Sequence, residues 1–379
     1  MRNTKRFTSL AAIAMLGLFA AACGDDDTES STTDAPAAGD TVAAATTTVA
    51  PAAEGPKVGL VFDIGGRGDQ SFNDSAAAGI ERAQSELGIT FTEASPNDDG
   101  SNRKELLDLA AESSDIVIAV GFLFEADAAA VGKANPDKTF GVIDSGMLDF
   151  SGASPVPYGD NIAGLVFAEE QGSFLVGAAA ALKSTTGQIG FIGGVKGVGG
   201  LIEKFEAGFT AGAKAVNPDI KIVSQYLTEA PDFDGFNAPD QARDVATAMY
   251  DGGADVVYHA AGGSGAGLFE AAKAASDASG TKVWAIGVDS DQYNTADPAV
   301  KDLILTSMIK RVDVAVFEII KAQMDGAVVG GPTTYDLSVD GVGYSTTGGF
   351  VDDIADKLDA YKAQIISGEI VVPTDPALA

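Results

Sequence analysis

Residues 57–88 read KVGLVFDIGGRGDQSFNDSAAAGIERAQSELG, and a change of rhythm inside them decides the fold. The first seven residues form a short apolar run that stops at polar residues and glycines, as a parallel strand buried on both faces does. From Ser71 the period lengthens: Ala76, Ile80, Ala83 and Leu87 recur at helical spacing on one face. Ser71 and Asp74 fit a capping box at the start of that helix, and Gly88 supplies its stop. Strand, glycine-rich turn and helix together make the repeating unit of an α/β architecture.

The unit recurs further along the chain. ITFTEA (89–94), DIVIAVG (115–121) and TFGVID (139–144) repeat the strand signal with room for crossover helices between them. After the helical stretch FAEEQGSFLVGAAAAL (167–182), a second series begins: QIGFIGG (188–194), IKIVSQYL (220–227), DVVYHAAGG (255–263) and VWAIGVDSD (283–291). Two series imply two doubly wound parallel sheets with helices on both faces. The expected division is a first lobe from 56–165, a second from 166–292, and crossover segments over 293–379 returning to the first lobe and then the second.

Composition narrows the chemistry. The chain has 379 residues, enough for two lobes, and a formal charge of −30 at pH 7. That charge disfavours nucleic acid, since phosphate binding needs clustered Lys and Arg. Cys23 is the single cysteine and His259 the single histidine. A disulfide, a Cys/His zinc cluster and a Ser-His or Cys-His catalytic pair are therefore not expected, and His259 reads as a packed core residue. Residues 1–23 have a basic start (Arg2, Lys5, Arg6), an apolar run and small residues before Cys23. That layout is a secretory signal peptide, and the cysteine after small residues resembles a lipobox, with Ala20 at the position usually held by Leu. Residues 24–55, rich in Asp, Ser, Thr, Ala and Pro, read as a flexible tether.

Open α/β sheets bind ligands outside the carboxyl ends of their strands. At those ends stand Asp63, Asp69, Ser71, Phe72 and Asn73, then Asp144, then Gly263, then Asp289 and Asp291, then Lys310 and Arg311. A loop after IKIVSQYL adds Phe233, Asp234, Phe236 and Asn237. Carboxylates, amides, one or two cations and phenylalanines outside any apolar run suit a neutral polar ligand with hydroxyls and a flat ring. GGVKGVGG (193–200) lacks the register of a dinucleotide or P-loop motif and reads as a tight strand-to-helix turn.

The segment DIGGRGDQSFNDSAAAGIERA (63–83) resembles the basic membrane protein family of ABC-transporter solute-binding lipoproteins, which includes purine-nucleoside binders. Further matches are EEQGSFLVGAAAA (169–181), GFNAPDQARDVA (235–246), AGGSGAGLFEAA (261–272), IGVDSDQ (286–292) and LTSMIKRVDVAVFEII (305–320). The resemblance covers the chain from Lys57 to about Val372 and implies a fold similar to type I periplasmic binding proteins, with two lobes joined by hinge crossovers. It implies that Phe72 and Phe236 sandwich a base, with Phe233 the alternative second ring. Asp63 and Asn73 would lie by the base, with Asp144 near, while Asp289 and Lys310 bind ribose hydroxyls beside Gly263; Ser71 completes the ligand-binding set. Adenosine, guanosine or inosine would be the ligand, and permease and ATPase subunits the partners. The chain would be lipid-anchored through Cys23 on the extracytoplasmic face, neither an enzyme nor a holder of metal or cofactor. Riboflavin, a sugar or a sensor role on the same fold are the alternatives, and a nucleoside hydrolase using Asp63, Asp69 and Asp289 is the remote one.

Overall fold

The computed structural model describes residues 55–97 and 100–379. The expected signal peptide, Cys23 and all of the tether except Gly55 lie outside the described residues. The chain starts with β1 (Lys57–Val61), α1 (Phe72–Leu87), β2 (Thr90–Ala94), α2 (Arg103–Ser113), β3 (Ile116–Ala119), α3 (Glu125–Ala134) and β4 (Thr139–Ile143). A small hairpin, β5 (Leu148–Asp149) and β6 (Val156–Pro157), precedes β7 (Ile162–Phe167). The second series comprises α4 (Glu169–Lys183), β8 (Gln188–Lys196), α5 (Leu201–Val216), β9 (Lys221–Glu229), α6 (Pro239–Asp251) and β10 (Val256–Ala260). It continues through α7 (Gly265–Ser279), β11 (Trp284–Asp289), α8 (Gln292–Thr295) and β12 (Ile304–Lys310). Last come α9 (Val312–Met324), β13 (Gly331–Tyr335), β14 (Val342–Tyr344) and α10 (Ala355–Ile366).

These strands form two six-stranded sheets, ordered β13-β7-β4-β3-β1-β2 and β14-β12-β11-β10-β8-β9. Every pairing within them is parallel except β12 with β14. The inner strands β3, β4 and β10 are buried along their whole lengths, which is why they read as unbroken apolar runs. The edge strands β2 and β9 are largely exposed and carry Thr, Glu, Lys and Gln between their apolar residues. Of the stripe read from the sequence, α1 buries Ala76, Ile80 and Ala83, while Leu87 packs half-buried against the same core. Removing a side chain such as Ile80 from water contributes about 1.5–3 kcal/mol. Gly88 ends α1 in the left-handed conformation, its N–H donating to the Gln84 carbonyl.

The chain passes between the lobes at Ala168, at Arg311 and over 336–341. This corrects the expected boundaries. Residues 293–310 do not cross over; they belong to the second lobe, because β12 is a buried run that lies parallel to β11. The first crossing also comes later than residue 165, since Phe167 still pairs with Tyr335 in the first sheet. After Arg311, α9 returns to the first lobe and packs on α1, and β13 joins that lobe's edge before β14 goes back.

The capping box is a second correction. The Ser71 hydroxyl makes no cap hydrogen bond. Asp69 takes that role: its carboxylate accepts from the N–H groups of Ser71, Asn73 and Asp74 at 2.8–3.0 Å. Gln70, at φ 55, turns the chain so that the carboxylate two residues before Ser71 reaches the first turn. The Asp74 carboxylate accepts instead from the loop amides of Gly68 and Gln70.

Candidate functional site

The carboxyl ends of both sheets face each other across a cleft that encloses about 610 Å³ when its solvent-open mouth is counted. The first lobe contributes Asp63, Asp69, Phe72, Asn73, Phe122 and Asp144 to the walls, and the second contributes Phe205, Phe236, Gly263, Asp289 and Lys310, among others. Of the nine ligand-binding residues that the resemblance implied, Ser71 is missing from these walls, and from the wider strand-end set Asp291, Arg311, Phe233, Asp234 and Asn237 also lie off them. Cys23 lies outside the described residues. Ser71 is fully buried where α1 begins; its hydroxyl donates to Asp289 Oδ2 at 2.5 Å, and its carbonyl accepts from Ser290 Oγ at 2.9 Å. It joins the lobes behind the cleft and is not a wall residue.

Each carboxylate has a distinct setting. Asp63 follows β1, accepts from the Ile64 N–H at 2.8 Å, and lies 3.8 Å from an Arg103 guanidinium nitrogen. Gly121, at φ 109, makes room for it: a Cβ there would fall 2.1 Å from Asp63 Oδ2. Burial pushes the Asp63 carboxyl up to about 6, against the Ile64 amide and Arg103. Asp289 ends β11 and is also pushed up to about 6, by burial first, opposed by Lys310 and the Ser71 hydroxyl. Asp144 and Asp289 end strands in opposite lobes and both adopt the left-handed region, at φ 64 and 63. Such backbone strain in residues other than glycine clusters at functional sites.

Lys310 is 2% exposed. Its Nζ donates to Asp144 Oδ2 at 2.8 Å, lies 3.4 Å from Glu169 Oε1, and sits 5.0 Å from the centroids of both Phe72 and Phe167. Burial alone would lower its pKa, but the carboxylates of Asp144, Glu169 and Asp289 outweigh it and hold the ammonium charged well above its ordinary range. Burial likewise raises Asp144, with Lys310 opposing.

Asn73 lines the cleft with its amide already engaged. Oδ1 accepts from the Asp63 N–H at 3.0 Å, and Nδ2 donates to the Ile64 carbonyl and to Asp69 Oδ2. It therefore shapes the loop that carries Asp63. Phe236 stands on a short turn over Gly194, where a Cβ would come within 2.6 Å of the ring. Phe233 is off the cleft and meets Phe122 of the other lobe edge-on, with centroids 6.3 Å apart. Phe122 and Phe205 were not anticipated. Phe122 follows DIVIAVG and obeys the same strand-end rule that found Asp63 and Asp144. Phe205 lies on α5 with Ile202 and Phe209 at helical spacing, a pattern that reads as core. His259 is fully buried, as a packed histidine would be, with Nε2 donating to Gln292 Oε1 at 3.0 Å. Among the described residues, no group of three or more His, Cys, Asp or Glu is arranged to hold a metal ion. No helix among them is long and apolar enough to cross a membrane.

Residues 56–376 match the family described as ABC transporter substrate-binding protein, PnrA-like. A CD4+ T-cell-stimulating antigen of Listeria monocytogenes is 34% identical over 340 residues, covering 84% of this chain and 88% of its own. The ABC transporter nucleoside-binding protein BmpA of Lactococcus lactis is 33% identical, covering 84% and 89%. A solute-binding protein of an ABC transporter system from Aeropyrum pernix K1 superposes with a TM-score of 0.69 at 28% identity, covering 84% of this chain and 94% of that one. The chain belongs to this family of ABC transporter substrate-binding proteins, and its two parallel-sheet lobes have the type I periplasmic-binding-protein fold.

Proposed function

From that membership, we propose that the chain captures a purine nucleoside between its lobes and presents it to the permease of an ABC importer. The observation that carries the reading is one cleft in which Phe72 and Phe236 enter from opposite lobes beside the carboxylates of Asp63 and Asp289. Flat aromatic faces suit a base, and an ionised carboxylate suits the two hydroxyls of a ribose. Stacking is worth about 1–3 kcal/mol per base, and a hydrogen bond to a charged group about 1.5–3 kcal/mol. After ordering costs, such a set supports micromolar binding, about −8 kcal/mol. The nucleoside-binding relative in Lactococcus lactis supports the same ligand class. Residues 1–23 support export, and Cys23 is the proposed lipid attachment that keeps the chain at the outer face of the cell membrane.

Calorimetric titration of protein unfolded and refolded to strip bound ligand tests the proposal. The panel is adenosine, guanosine, inosine, cytidine, adenine, ribose and riboflavin. Tight binding of purine nucleosides with weak adenine and ribose is the expected result. Silence toward nucleosides with heat from riboflavin or a sugar would overturn the ligand and leave the family standing.

A further inference from the structure

From the cleft inward, four charged side chains form a row. Asp144 at the end of β4 meets Lys310 at the end of β12, Lys310 meets Glu169 at the start of α4, and Glu169 Oε2 lies 3.2 Å from Lys204 Nζ on α5. The signs alternate along the row. Asp144 and Lys310 line the cleft, whereas Glu169, 1% exposed, is not among the residues that wall it. Glu169 follows the crossover at Ala168, and Lys310 precedes the crossover at Arg311, so their contact clamps two of the connections between the lobes. A carboxylate as the first residue of α4 is also favoured by the helix dipole.

We propose that Glu169 is a positioning residue that acts through Lys310. This rests on the reading that the cleft holds a ligand beside Lys310. An ammonium is a compact charge on a flexible stem with three donors. With Asp144 as its sole ion-pair partner it turns toward the first lobe and occupies the Asp144 oxygens. Glu169 pulls from the opposite side, within the second lobe, and keeps the ammonium between Phe72 and Phe167 with a donor left for the ligand. Lys204, about a third exposed, balances the charge of Glu169 from the far end of the row.

A double-mutant cycle read by inosine titration separates this role from a general structural one. Glu169→Gln weakens binding by about tenfold, and adding it to Lys310→Met costs nothing beyond Lys310→Met alone, as for residues that act as a unit. Glu169→Asp restores most of the affinity. A second arm needs no ligand: lysine side-chain ¹⁵N spectra follow the Lys310 ammonium, which exchanges slowly in the wild type and in Glu169→Asp but rapidly in Glu169→Gln. Additive losses in the cycle, or an ammonium signal indifferent to Glu169→Gln, would overturn the proposal. A wild type that ignores adenosine, guanosine and inosine alike defeats the nucleoside reading instead, and the ammonium signal then decides for Glu169 alone; where only inosine fails, the cycle is read with the nucleoside that binds.

Discussion

Ser71 Oγ donates to Asp289 Oδ2 at 2.5 Å, tying the start of α1 in the first lobe to the end of β11 in the second. The same loop is held twice more, by Ser290 Oγ on the Ser71 carbonyl and by Gln292 Nε2 on the Gln70 carbonyl. The carboxylate proposed to grip the ligand is thus also an anchor between the lobes. Ser71→Ala removes a hydrogen bond that favours the ionised form of Asp289. Nucleoside affinity should fall by roughly tenfold, in line with about 1.5 kcal/mol for a bond to a charged group. Titrations at two pH values check this, with the loss larger at pH about 6 than at pH about 8 because the Asp289 carboxyl moves further up.

The pH profile of binding follows from Asp289 itself. Its carboxyl is pushed up to about 6 by burial, so protons compete with ligand hydroxyls just below neutrality. Affinity should be flat above about pH 7 and fall toward tenfold per unit below about pH 6. Asp289→Asn should bind more weakly and lose that acid limb. A profile unchanged by the substitution would remove Asp289 from the ligand's hydroxyls.

The stacking roles are open to alanine substitution. Phe72→Ala and Phe236→Ala should each weaken nucleoside binding by about tenfold, within the span of 1–3 kcal/mol per stacked base. Phe233→Ala should cost less, because that ring packs on Phe122 and not on the cleft. Isothermal titration of the three variants ranks them, and a larger loss for Phe233→Ala would reverse the assignment of the second ring.

Gly263 separates ligand space from protein space. A Cβ on it would come no nearer than 3.4 Å to protein, at Asn237 Oδ1, an ordinary contact. Gly263→Ala should therefore leave the melting temperature within about 2 °C of wild type, as for a surface change of a few tenths of a kcal/mol. Nucleoside affinity should drop all the same. Equal affinity would show that no ligand atom approaches there.

His259 governs part of the response to acid. Burial lowers it from 6.5 to about 4, so the folded chain keeps it neutral where the unfolded chain protonates it. Its contribution is full above pH 6.5 and is lost as pH falls toward 4, about 3 kcal/mol in all. Asp63 and Asp289 act oppositely: raised from 3.8 to about 6, they favour the folded state below 3.8 and lose that contribution as pH rises through 6. The comparison is therefore between wild type and His259→Asn in denaturant titrations across this window. The variant should lose less stability on acidification.

Much of the fold is legible in the chain because a strand buried on both faces must be apolar throughout, and an amphipathic helix must repeat its stripe. VGLVF, IVIA and VVYHA announce themselves this way, and Gly88 marks a helix end. The strand-end rule likewise brings Asp63, Asp144, Asp289 and Lys310 to one place, since parallel strands deliver their carboxyl ends to a common edge. ILTSMIK at 304–310 was harder: its apolar run suits a strand in either lobe, and only its pairing with β11 assigns it.

Local sequence determined the alternation of strand and helix, the two series, and the chemistry gathered at the strand ends. These depend on neighbours within a turn or a strand. The tertiary structure alone decided which of those residues face the ligand and which hold one another. Asn73 has its amide taken by the Asp63 loop, Ser71 reaches a carboxylate 218 residues away, and Lys310 meets an aspartate 166 residues before it. Hydrogen bonds and charge pairs form between whatever the packing of two lobes brings within about 3 Å, and periodicity along the chain carries no record of that distance.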